Sequence, residues 1–169
     1  MKAEPPGVEI VAEVGSDLDG VALDVDRWVA LASDALTDCG VRAGQLGLAF
    51  VDTPAMTELN TEHMGGTGPT DVLAFPLDAT EAEATSMVSE LPVLLGDVVI
   101  CPEVAHGNAH EHGRTTDEEL ALLVVHGVLH ILGMDHAEAS ERHEMQARER
   151  ELLSRFATLN PSGNQQDPG

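Results

Sequence analysis

His126, His130 and His136 stand in a single run, HGVLHILGMDH. On an α-helix, residues four apart lie on one face about one turn from each other, so His126 and His130 can present two imidazoles to one cation. Gly133 follows them, and glycine readily takes the left-handed conformation that ends helices. The chain can turn back there and bring His136 round as a third ligand. Three ligands leave one position of a tetrahedral zinc open, which is the pattern of a catalytic site rather than a structural one. Three neutral imidazoles suit one Zn2+ ion, although nickel, copper and iron accept similar donors.

The spacing reproduces the ligand positions of metzincin-type zinc peptidases at every histidine and at the glycine. It departs from them at position 127. Such peptidases place a glutamate beside the first histidine as general base, and here that residue is Gly127. A zinc peptidase is therefore the weaker reading. Water in the open position of a suitable zinc site titrates at about pH 7 without that glutamate, so other hydrolytic chemistry is retained. Asp135, next to His136, is read as an orienting or turn residue. His106, His110 and His112 lie in the polar stretch AHGNAHEHGRTTDEE and are read as solvated, while His63 and His143 are isolated.

The elements that must position this run are legible around it. Val8 to Val14 alternates and is β-rich, which predicts a first strand after a proline-containing N-terminus. Asp24 to Cys39 has helical periodicity, with Gly40 just past its end. Leu46 to Val51 predicts a second strand, and Thr53 is placed to cap a short helix through Asn60. Met64 to Pro69 is a glycine-rich loop. Asp71 to Leu77 and Leu94 to Pro102 predict two more strands, separated by the acidic insertion TEAEATSMVSE, read as a surface loop. A helix is expected from Glu103 to His112. Thr116 with Glu119 reads as a capping box opening the helix of His126 and His130, which is apolar on almost every face and so expected to be buried centrally. Ala139 to Leu159 predicts a last helix, and PSGNQQDPG a disordered tail. The expectation is a single α/β domain over residues 1–160, with one mixed sheet of about four strands packed by helices.

Composition narrows the class further. At 169 residues, the chain can bury a core without staples. Aromatic residues make up only 2%, so that core must be aliphatic. No apolar run approaches the roughly 20 residues of a membrane span, and MKAEPPG lacks the apolar centre of a signal peptide, so the expected location is cytoplasmic. Cys39 and Cys101 are too few for a disulfide framework and are read as reduced. Thirty acids against eight bases give a net charge of −22, which repels nucleic acid at long range. A divalent cation in a cleft can still hold a phosphate, because its own charge dominates nearby. Arg142, Arg148, Arg150 and Arg155 lie on the last helix, interleaved with Glu138, Glu141, Glu144, Glu149 and Glu151, and read as a solvated, self-paired face.

With these segments in view, the chain resembles the YbeY family of bacterial endoribonucleases, also called rRNA maturation factors. HGVLHILGMDH carries the resemblance together with LNTEHMGGTGPTDVLAFP (Leu59 to Pro76) and LLGDVVICPEVA (Leu94 to Ala105), in the family's order and spacing. The resemblance implies an α/β fold and a metal-dependent, single-strand-specific endoribonuclease. Its implied partners are single-stranded RNA, rRNA and the small ribosomal subunit, with no membrane and no DNA. Its implied roles are small-subunit rRNA 3′-end maturation and ribosome quality control. The metal ligands carry over to His126, His130 and His136, and Asp97 falls at the family's GD pair, where it would either line the cleft as a catalytic residue or serve as a structural strand-end aspartate. Met64 stands where the family usually has an arginine, and Ala74 where it usually has a serine. Methionine offers no charge for a phosphate, whereas an arginine fork binds one bidentately. The alternative is therefore a ribosome-assembly binding factor with a mainly structural metal.

Overall fold

A computed structural model of the chain describes residues 7–15, 23–77, 94–134 and 139–156. The alternating run Val8–Val14 forms strand β1, and the amphipathic stretch after it forms helix α1, Val25–Asp38. Strand β2 (Gly44–Phe50), helix α2 (Thr53–Met64), strand β3 (Val72–Pro76) and strand β4 (Leu94–Ile100) come next. Helices α3 (Pro102–His112), α4 (Thr116–Ile131) and α5 (Ala139–Phe156) complete the order. Helix α2 runs past the expected Asn60 to Met64, where Gly65 ends it in the left-handed region. The proline-containing N-terminus, the acidic insertion TEAEATSMVSE and the tail PSGNQQDPG lie outside the described residues.

The four strands form one sheet in the order β1-β2-β4-β3. β1, β2 and β4 are parallel, and β3 runs antiparallel along β4, so the sheet is mixed as expected. Period-two alternation divides its side chains between two faces. Leu46, Leu48 and Phe50 of β2, with Val98 and Ile100 of β4, join the main core against α1, α4 and α5. Trp28, Leu36, Val124, Val128, Met145 and Leu152 are the helical side of that core. Fully burying one such aliphatic or aromatic side chain is worth about 1.5–3 kcal/mol, so this layer accounts for most of the fold's hydrophobic stabilisation. On the opposite face a smaller cluster of Met56, Leu73, Val99 and Cys101 seats α2 against the sheet. Both cysteines are free; burial pushes the Cys101 thiol up, against the opposing effect of the backbone amides of Val104 and Glu103. No helix among the described residues is long and apolar enough to cross a membrane.

Two helix starts differ from the sequence expectation. Asp52, not Thr53, caps α2 by accepting the Ala55 N–H at 2.9 Å. Thr115, not Thr116, caps α4: its hydroxyl accepts the Glu118 N–H at 3.0 Å while Glu118 accepts the Thr115 N–H at 2.9 Å. The shift by one residue frees Thr116 to meet His106, whose Nδ1 lies 2.7 Å from the Thr116 Oγ1. It also turns Glu119 inward, where the buried carboxylate accepts from Arg114 at 2.6 Å.

Thr115→Ala is expected to lower stability by about 1 kcal/mol through loss of the cap, measured as a shift in urea unfolding midpoint. Thr116→Ala is expected to cost less than half of that. The reverse ranking would return the capping box to the position expected from sequence.

Candidate metal centre

Helix α4 is buried along most of its surface, and its apolar sequence requires that. Leu122, His126 and His130 are the half-exposed residues at its four-residue spacing, so the two histidines share one stripe of the helix. Their rings meet edge to face with centroids 4.6 Å apart. Two imidazoles that close on one face form a donor pair suited to a single borderline-soft cation.

The helix ends where the sequence places its stop. Gly133 has φ +97°, its N–H donates to the His130 carbonyl at 3.0 Å, and the Met134 N–H donates to the Leu129 carbonyl at 3.0 Å. This pair of bonds is a Schellman motif, which turns the chain away from the helix axis directly after His130. His136 and Asp135 lie outside the described residues. Among the described residues no group of three histidines, cysteines or carboxylates is close enough to hold a metal ion.

Gly127 has a structural cause. A Cβ built on it would lie 2.5 Å from the Val98 Cγ1, closer than side chains pack. Position 127 therefore faces strand β4 at a close approach of helix and sheet. A glutamate there would be driven into the core rather than toward the histidine stripe, so the peptidase base is excluded by packing as well as by identity.

Asp97 lies on the other side of the sheet. Val98 points at α4, so its strand neighbour Asp97 points away from it. Asp97 does line a cavity, of about 470 Å³, but with Glu13, Gln45, Leu59, Phe75 and Val99 on the face opposite α4. Gly47 makes room for it, because a Cβ there would collide with the Asp97 carboxylate. The structure thus brings His126 and His130 together and separates Asp97 from them. His106, His110 and His112 are exposed along α3, and His106 meets the Thr116 hydroxyl. Met64 is 52% exposed at the end of α2.

Glu149 is the residue that sequence reasoning missed. The sequence pattern places it among solvated acids of the last helix, yet it is only 8% exposed and its Oε2 pairs with the Nδ1 of His126. Its signal was available in the spacing. Met145, Glu149 and Leu152 recur at helical intervals and form the buried stripe of α5. The arginines of that helix are not merely self-paired either. Arg148 Nη2 donates to the Asp38 carboxylate at 3.1 Å and to its carbonyl at 3.3 Å, and Arg155 pairs with the same carboxylate. Burial opposes the charge on Arg148, but the Glu151 carboxylate and the Cys39 sulfur beside it hold its pKa above the usual arginine value.

Fold and site together define a class: a small α/β protein with a mixed sheet, whose buried central helix displays paired imidazoles along one half-exposed stripe. Residues 18–157 match the family profile described as Endoribonuclease YbeY, and the chain belongs to the YbeY family. It is 45% identical over 152 residues to the Endoribonuclease YbeY of Salinispora tropica, covering 87% of this chain and 94% of that one. It is also 45% identical over 137 residues to the protein of the same name from Beutenbergia cavernae, covering 80% and 91%. The solution structure of TM1509 from Thermotoga maritima has the same fold, with a TM-score of 0.53 at 21% identity over 95% of this chain and 98% of that one.

Gly127→Ala is expected to destabilise the protein by about 1–3 kcal/mol through overpacking against Val98. The same change in an open helix stabilises by about 1 kcal/mol, so a loss of stability in chemical denaturation is the expected sign and a gain would contradict the overpacking.

Proposed function

We propose that the protein is a metal-dependent endoribonuclease that cleaves single-stranded RNA and acts on small-subunit rRNA, in 3′-end maturation and ribosome quality control. The observation that supports this most is the His126 and His130 pair on one half-exposed stripe of a buried helix, in a chain of the YbeY family. His126, His130 and His136 would hold one Zn2+ ion, and the donor set fits: two facing imidazoles, with the helix ended so that the chain turns beside them. A zinc ion bound there would act as a Lewis acid toward a phosphodiester and lower the pKa of water.

The chain's own residues do the positioning. The apolar body of α4 fixes the axis of the histidine pair, and its burial keeps both rings at the protein surface rather than in the core. Gly127 offers no carboxylate at the position that follows His126 in the chain, so proton transfer from a nucleophile is not assigned to a side chain at that position. The net charge of −22 gives RNA little long-range attraction. Phosphate recognition then falls largely on the site itself.

His130→Ala is expected to abolish stoichiometric zinc binding, read by elemental analysis, and to reduce cleavage of an unstructured RNA at least about a hundredfold, as loss of a metal-held centre does. Unchanged zinc content would overturn the ligand assignment. Met64→Arg, which supplies the charge the family usually carries there, is expected to tighten RNA binding at low salt. An unchanged affinity would remove this position from the RNA path. A second reading, an assembly factor that binds the small ribosomal subunit without cutting, is favoured by the exposed Met64 and the acidic surface. Co-sedimentation with small subunits by protein that does not cleave RNA would establish it.

A further inference from the structure

A carboxylate buried among apolar side chains is costly unless another group meets its charge. Glu149 sits between Met145 and Leu152 on the buried stripe of α5 and is met by the Nδ1 of His126 on α4. Where the carboxylate accepts this hydrogen bond, its hydrogen stands on Nδ1. A neutral imidazole with its hydrogen on Nδ1 carries its lone pair on Nε2. In water, a neutral imidazole favours the other form, with hydrogen on Nε2, and that form cannot donate a lone pair from Nε2.

We propose that Glu149 is a positioning residue that fixes His126 as the Nδ1–H tautomer and aims its Nε2 lone pair at the metal. The inference rests on the reading of His126 as a metal ligand. Two further features of the structure support the role beyond the contact itself. The pair joins elements 23 residues apart in sequence, so the last helix completes the site laid out on α4. The rotation of α5 about its own axis is also held independently, by Arg148 and Arg155 on Asp38, which keeps position 149 turned toward α4.

The test titrates zinc into metal-free wild type, Glu149→Ala, Glu149→Gln and His126→Ala against a competing chromophoric chelator. The nitrogen-15 shifts of the His126 ring are read in the metal-free wild type and variants at one neutral pH. Glu149→Ala is expected to weaken zinc binding about 10- to 100-fold, the usual effect of removing a ligand's carboxylate partner. It is also expected to shift the His126 ring toward the Nε2–H form. Glu149→Gln keeps an acceptor for Nδ1–H and is expected to lose less than about tenfold while retaining the wild-type tautomer. Wild-type affinity and tautomer in Glu149→Ala would overturn the proposal. If Glu149→Ala does not fold, the wild-type ring decides: an Nε2–H signature overturns the proposal and an Nδ1–H signature supports it. Loss of zinc in His126→Ala with none in a folded Glu149→Ala defeats the positioning role alone. Undiminished zinc binding in His126→Ala would instead remove the ligand reading beneath it.

Discussion

The close approach of helix α4 to strand β4 is the constraint on which the rest of the molecule depends. A helix that is apolar on nearly every side has to be enclosed, and here the sheet encloses one side while α1, α3 and α5 enclose others. The approach requires a position without a side chain, and Gly127 provides it opposite Val98. Glycine in a helix interior costs about 1 kcal/mol relative to alanine, a small penalty beside the burial it permits. With that side fixed against β4, the half-exposed stripe of Leu122, His126 and His130 is determined by the 3.6-residue turn. Packing and site geometry are consequences of one contact.

Charge is arranged around this frame locally rather than as a field. Arg27 pairs with Asp117 at 2.8 Å, joining the starts of α1 and α4, and Arg114 pairs with the buried Glu119. Arg148 and Arg155 both reach Asp38 at the end of α1. Three of the eight basic residues are thereby committed to holding helices together, and a fourth to a buried carboxylate. The excess of acid is left to dominate the surface, and a polyanion meets few uncommitted cations on approach.

Much of this was legible in the sequence, for physical reasons that differ from element to element. Period-two alternation marked β1 and β2, and the unbroken apolar helix announced its own burial. Gly133 was readable because few other residues accept its backbone angles. Thr115 and Thr116 were not distinguishable by pattern, since each is followed by a glutamate at the capping-box distance and only the path of the chain into the helix selects one. Glu149 was hidden for the opposite reason: a carboxylate among many carboxylates looks solvated until its spacing from Met145 and Leu152 is counted. The side of the sheet taken by Asp97 depended on strand register against β3 and on which face received α4, and both are tertiary facts.

The sharing of Asp38 by two arginines from α5 has a consequence for how the protein comes into being. These pairs span 110 and 117 residues, linking an early element of the chain to its final helix. Contacts of such sequence separation form late, after loop closure has been completed elsewhere. During synthesis, α1 emerges well before α5, the histidine helix shortly before it, and the carboxylate that meets His126 arrives only with α5. The apposition of Glu149 and His126 therefore waits on α5, and the ion pairs on Asp38 that hold this helix tie it back to the early part of the chain.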